Sequence, residues 1–74
     1  MDRIAVDHRV MGGMPCIQGT RIPVSMIVGR IAEGASESEV LEDYPQLTPD
    51  DIHAALRYAA AVLDQRELPL QSAA

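Results

Sequence analysis

Apolar residues recur at the spacing of an α-helix in the segment that follows Pro23. They are Val24, Ile27, Val28, Ile31 and Ala32, at positions i, i+3, i+4, i+7 and i+8. This spacing places them on one face of a helix. Pro23 suits a helix start, and Gly34 is typical of the position just after a helix end. The pattern therefore predicts a first helix between Pro23 and Gly34.

A second helix is predicted from a capping box, in which Ser36 and Glu39 each satisfy a backbone N–H group of the other. The helix ends before Pro45, because a residue that precedes proline is disfavoured in the helical conformation. Its predicted inward face carries Val40, Leu41 and Tyr44.

The sequence Thr48-Pro49-Asp50-Asp51 predicts the start of a third helix. It combines a capping hydroxyl, a proline at the first helical position and acids at the positive end of the helix dipole. The helix is predicted to run to about Gln65. Its predicted apolar face consists of Ile52, Ala55, Leu56, Ala59, Ala60 and Leu63, and its outward face of Asp50, Asp51, His53 and Arg57.

The N-terminal segment alternates like a short strand and then becomes rich in Gly and Pro. Ile4 and Val6 share one side of the strand, and Cys16-Ile17 is a second extended piece. Strands this short do not make a stable sheet alone, so pairing within one chain and pairing between two copies both stay open. The residues of a candidate dimer arm are Ile4, Val6, Cys16 and Ile17.

These elements predict a mainly α fold with a short N-terminal β arm followed by a three-helix bundle. The predicted division is an arm and connector at 1–23, a bundle at 24–66 and a flexible tail at 67–74. The second helix, its link and the third helix have the lengths of a helix-turn-helix.

Composition narrows the class of protein. The 74 residues carry eleven acids, six arginines and no lysine, for a net charge of −5, which opposes general binding to duplex nucleic acid. One cysteine cannot form an internal disulfide, and so small a domain commonly gains stability by self-association. We find no apolar run of membrane-spanning length and no secretory signal pattern, so we expect a cytoplasmic homodimer.

The segment from Gly13 to Val24 reads G-M-P-C-I-Q-G-T-R-I-P-V. With this segment, and with Tyr44-Pro45 and Leu47-Thr48 further on, the chain resembles the domain of unknown function 433 family from about Ile4 to Val62. The resemblance implies a homeodomain-like fold, dimerisation through the arm and a VapB-like antitoxin role against a PIN-like ribonuclease. Met14 and Gln18 stand where relatives usually carry Lys and often Arg.

Arg21 is the principal candidate for partner binding. A stiff turn between Thr20 and Ile22 would hold its guanidinium ready to bind a carboxylate or phosphate in a bidentate manner. A PIN-like nuclease has a cluster of metal-binding carboxylates, and such an arginine could insert there and displace the metal cation. The alternative is a structural ion pair or carbonyl clamp that holds the arm to the bundle. The candidate partner-binding residues are Gly19, Thr20, Arg21 and Pro23.

The alternative function is a helix-turn-helix transcriptional regulator that binds DNA and represses its own operon. Its candidate DNA contacts are Arg30, His53 and Arg57, although acids in the first turn of the third helix oppose phosphate binding. We expect no enzyme, catalytic residue, cofactor or metal site, because too few acid–base groups converge and Cys16 is predicted to be a buried, inert thiol.

Overall fold

The computed structural model describes residues 3–7, 9 and 11–65. It is mainly helical, with a short two-stranded hairpin near the N-terminus, as the sequence predicts. The elements in chain order are strand β1 (Ile4–Ala5), one turn of 3-10 helix (Met11–Gly13), strand β2 (Cys16–Ile17), and helices α1 (Val24–Ala32), α2 (Glu37–Asp43) and α3 (Pro49–Gln65). In this part of the chain, no helix is long and apolar enough to cross a membrane.

The hairpin forms within one chain. β1 and β2 are antiparallel, with Ile4 opposite Ile17 and Ala5 opposite Cys16. The Gln18 N–H extends the pairing by donating to the carbonyl of Arg3 at 2.7 Å. Because so short a hairpin is unstable alone, its stability comes from packing, and Ile17 is accordingly buried among the helices.

The helical core includes residues from the arm. The packing of α1 against α3 dominates the interior, and α2 packs against both of these helices. The buried cluster consists of Ile17, Ile22, Val24, Ile27, Val40, Leu47, Ile52 and Ala55. The side chains of Ile27, Val40 and Ile52 are completely buried, one from each helix. The arm and the helices therefore share one core.

The predicted caps explain where the helices begin and end. Ser36 Oγ accepts from the Glu39 N–H at 3.1 Å, and Glu39 Oε1 accepts from the Ser36 N–H at 2.8 Å. Gly34 closes the end of α1 with a φ of +103°, a conformation that only glycine adopts readily. These local signals confirm the predicted starts of α2 and α3 and the end of α1.

The predicted apolar face of α3 is wrong at its C-terminal end. Ile52 and Ala55 are buried as predicted, but Ala60 is exposed and Leu63 is 64% exposed. The reason is length. At 1.5 Å per residue, the 17 residues of α3 extend roughly 25 Å, whereas the nine of α1 extend only about 14 Å. α1 is therefore too short to cover α3 over its full length, and Leu63 lines an open groove with Val24 and Ser25 at the start of α1.

Candidate functional site

The loop that carries Arg21 is closed by its own hydrogen bonds. Thr20 Oγ1 donates to the carbonyl of Ile17 at 2.8 Å and accepts from the N–H of Ile22 at 3.0 Å. The Ile17 N–H also donates to the Ile22 carbonyl at 3.0 Å. Gly19 permits the tight turn with a φ of +81°. The Thr20 hydroxyl thus holds the loop in shape and has both of its hydrogen-bonding roles filled.

Arg21 itself is exposed. Its neighbour Ile22 is buried and Pro23 is half-buried, so the backbone on its C-terminal side is anchored in the core. Within residues 3–7, 9 and 11–65, the ion pairs involve Arg3, Arg9, Arg30 and His53, and none involves Arg21. The guanidinium is thus presented on a rigid loop.

A concavity of about 440 Å³ lies beside Arg21. The described residues that line it are Ala5, Asp7, Met14, Cys16, Gly19, Thr20 and Arg21. The only carboxylate among them, Asp7, accepts from the backbone N–H of Arg9 at 2.9 Å and from Arg9 Nε at 3.2 Å. The hydrogen bonds from the Arg9 side chain and backbone lower the pKa of Asp7. Asp7 is therefore ionised at neutral pH and already paired with Arg9.

Arg3 performs the clamping role that one hypothesis assigned to Arg21. Arg3 Nη1 donates to Asp51 Oδ1 at 3.0 Å, and Arg3 Nη2 lies 3.6 Å from Asp50 Oδ2. This contact ties the β arm to the start of α3 across 48 positions of sequence. Sequence reasoning missed Arg3 because nothing in its local pattern distinguishes it from the other arginines.

Asp51 was predicted to face outward, but this is wrong, because the residue is only 8% exposed. Asp51 Oδ2 accepts from the Thr48 N–H at 3.0 Å, and Thr48 Oγ1 accepts from the Asp51 N–H at 3.3 Å. This is a capping box with Asp at the third helical position, a spacing that the sequence did contain. Burial raises the pKa of Asp51, but hydrogen bonds from Thr48 and Arg3 outweigh it, and the net pKa is lowered. The carboxylate is therefore a buried, ionised joint between arm and helix.

Two of the three candidate DNA contacts are engaged between helices. Arg30 Nη1 pairs with Asp43 of α2, and this hydrogen bond raises the pKa of Arg30. His53 Nε2 lies 3.0 Å from Glu37 Oε2, so it joins α3 to α2. Arg57 is exposed, and no ion pair to it occurs in the part of the chain that the structure describes. Of the three, Arg57 is the one that forms no ion pair with another described residue.

The candidate dimer-arm residues lie close together but differ in exposure. Cys16 and Ile17 are 3% and 2% exposed, Ile4 is half-buried, and Val6 is 52% exposed. The Cys16 thiol is directed at the carbonyl of Met14, with Sγ and O 3.4 Å apart. In this conformation, Val6 is the arm residue that a second copy could contact extensively. Within the described ranges, no three His, Cys, Asp or Glu residues are grouped as metal ligands.

Comparison with known sequences places the chain in a family. A family profile described as "Protein of unknown function (DUF433)" matches residues 4–59, which is most of the chain. The chain belongs to the DUF433 family. This DUF433 chain also resembles the crystal structure of a DUF433 member from Anabaena variabilis, with 37% sequence identity and a TM-score of 0.80. That similarity covers 88% of this chain and 64% of the Anabaena chain.

A second relative of this DUF433 chain is the uncharacterized protein y4eO of Sinorhizobium fredii. The two are 38% identical over 52 residues, which is 70% of this chain and 24% of y4eO. The chain thus spans about a quarter of this curated relative's length.

Proposed function

We propose that this DUF433 protein is a VapB-like antitoxin, a protein-binding module that acts in the cytoplasm as a homodimer and neutralises a PIN-like ribonuclease. The observation that carries the proposal is Arg21, an exposed guanidinium on a loop closed by Thr20 and anchored by buried Ile22. Because the loop is closed by hydrogen bonds before binding, little backbone conformational entropy is lost when Arg21 binds a partner.

The chemistry of this partner fits the charge of Arg21. PIN-like nucleases hold their metal ions with clustered carboxylates, and a guanidinium binds a carboxylate with two parallel hydrogen bonds. Insertion of Arg21 into that cluster would replace the cation and stop RNA hydrolysis. The concavity beside Arg21 would receive the rim of the nuclease site.

The proposal assigns catalysis to the partner and binding to this chain. Cys16 is buried, so it is not exposed to a substrate as a nucleophile. His53 is paired with Glu37 on the helical side of the molecule. Among the residues that the structure describes, the lining of the concavity includes Cys16 but no histidine.

Co-expression with the nuclease encoded beside this chain tests the proposal. Arg21→Ala should weaken inhibition of RNA cleavage roughly tenfold or more, as expected for a central charged contact. Arg57→Ala is the matched control, since it also removes an exposed arginine. Circular dichroism melts should show both variants folded. Full inhibition by Arg21→Ala would contradict the proposed contact, and failure of the wild-type chain to bind the nuclease would contradict the proposed function.

A homeodomain-like, DNA-binding regulator is the second candidate function. The observation that favours it is the sequence of elements α2, link 44–48 and α3, with exposed Arg57 on the longer helix. Operator binding should then fall steeply with salt concentration, and Arg57→Ala should reduce that dependence. Binding to nuclease that depends on Arg21, with no operator binding at low salt, would decide against it.

A further inference from the structure

The hydroxyl of Thr20 completes the backbone pairing at the base of the loop that carries Arg21. The chain before the loop runs antiparallel to the chain after it, and the Ile17 N–H donates to the Ile22 carbonyl at 3.0 Å. In a regular antiparallel pair, the Ile22 N–H would donate directly to the Ile17 carbonyl in return. Here Thr20 Oγ1 lies between these two groups, accepting from the Ile22 N–H at 3.0 Å and donating to the Ile17 carbonyl at 2.8 Å. The hydroxyl thus bridges the two ends of the loop.

The same hydrogen bonds limit what Thr20 can do for a partner. The sequence motif groups Thr20 with Arg21 as partner-binding residues. A hydroxyl has one O–H donor, and in Thr20 the Ile17 carbonyl already accepts it. An ionised carboxylate is an acceptor only, so Thr20 could bind one only by giving up that bond. A carboxylate that binds this loop is therefore bound by Arg21, and Thr20 acts on it indirectly.

We propose that Thr20 is a positioning residue, whose hydroxyl holds the backbone of Arg21 so that the guanidinium is presented to a partner carboxylate in one place. The inference rests on the proposed contact between Arg21 and the nuclease. Arg21 lies between the two residues that the hydroxyl hydrogen bond joins, Thr20 and Ile22. The bridge also connects the loop to residues fixed in the core, since Ile17 is 2% exposed and Ile22 is 6% exposed. A loop held in this way loses less conformational entropy on binding.

Thr20→Val removes the bridge while keeping the branched shape of the side chain. The Ile17 carbonyl still accepts from the backbone N–H of residue 20 at 3.0 Å, but the Ile22 N–H loses its hydroxyl acceptor. Amide hydrogen exchange at Ile22 should therefore become roughly fivefold faster or more. Thr20→Ser keeps the hydroxyl and should leave this exchange rate close to that of the wild type. The measurement needs no nuclease.

A double-mutant cycle on nuclease binding tests whether Thr20 acts through Arg21. Thr20→Val should raise the Kd roughly fivefold, because the loop must then be ordered during binding. Thr20→Ser should restore the wild-type Kd. When Arg21→Ala is already present, adding Thr20→Val should change the Kd by less than about twofold, since the group to be positioned is gone.

Thr48→Val is the matched control for a general loss of stability. Thr48 is the chain's other threonine, and its hydroxyl caps α3 away from the Arg21 loop. Thr48→Val should lower the melting temperature and leave the Kd unchanged. Circular dichroism melts should show that every variant is folded at the temperature of the binding measurements.

The proposal would be overturned if Thr20→Val left both Ile22 exchange and the Kd unchanged. It would also be overturned by an equal loss of affinity with and without Arg21, or by an equal loss in Thr48→Val. Failure of the wild-type chain to bind the nuclease would contradict the proposed function instead. The exchange rate of Ile22 would then still decide whether the Thr20 hydroxyl holds the loop.

Discussion

The two halves of α3 share one apolar periodicity but have different surroundings. In the first half, Ile52 and Ala55 are fully buried and Asp51 is tied to Arg3 of the arm. In the second half, Leu63 continues the same helical face but is 64% exposed. The first half is therefore held by the rest of the chain, and the second presents apolar surface.

This difference shows that a helical pattern identifies a face without saying what covers it. α1 is too short to cover α3 over its full length. In a small domain with a limited core, apolar side chains beyond that cover are available for a partner.

The largest predicted effect on stability comes from shortening an apolar side chain in the first half of α3, and the same change in the second half should have little effect. Ile52→Ala should reduce the free energy of unfolding by about 3 kcal/mol, because it removes a fully buried side chain and leaves a cavity. Leu63→Ala should change it by less than about 0.5 kcal/mol, measured at concentrations where the chain is monomeric. Urea unfolding measures both values. Equal losses would show that the two halves do not differ as described.

Substitution of Asp51, the carboxylate that caps α3, should have the next largest effect on the free energy of unfolding. Asp51→Ala should cost about 2 kcal/mol of unfolding free energy, since it removes both the Thr48 cap and the partner of Arg3. Asp50→Ala is the control one residue away, and its exposed side chain should contribute about 0.5 kcal/mol or less. If the Asp50 change is as costly as the Asp51 change, the buried joint is not the main link between arm and helix.

Arg3 and Arg21 of the arm should also differ in how much they contribute to stability. Arg3→Ala should lower stability by about 1 kcal/mol, a value reduced for the 46% exposure of its side chain. Arg21→Ala should lower it by only about 0.3 kcal/mol, because an exposed surface side chain contributes little to folding. Thermal melts of both variants measure this difference. A larger loss for Arg21 would restore its structural interpretation.

The smallest predicted effect is a pH dependence. Folding lowers the pKa of Asp51, so its ionised form stabilises the native state above the ordinary Asp pKa of about 3.9. This contribution is lost as the pH falls below that value toward the pKa in the folded state. Asp51→Asn should therefore lose less stability than the wild type on acidification below about pH 4. Asp7 also has a lowered pKa but is present in both proteins, so their difference isolates Asp51. Parallel stability curves would contradict this assignment.

The helices could be predicted from the sequence because their end signals are local. Ser36 and Glu39 lie three residues apart and form the predicted capping box, and the Thr48 hydroxyl caps α3 as predicted. The return hydrogen bond to Asp51 was not predicted, although its spacing is equally local. The turn around Gly19 and the buried thiol of Cys16 follow equally from local composition.

The contacts between elements could not be predicted in the same way. The Arg3–Asp51 pair joins residues 48 positions apart, and any of several arginines could have supplied it. The exposure of Leu63 depends on the relative lengths of α1 and α3, which no single periodic segment contains. Arg21 was singled out from its motif, but its exposure became evident only with the fold.

The central claim is that this chain acts by binding a nuclease through Arg21. The most direct test is the mass of the complex formed when the chain is co-expressed with the protein encoded beside it. The account predicts a stable complex that contains the partner and two copies of the 8.0 kDa chain. An 8.0 kDa monomer that elutes free of the partner would contradict it.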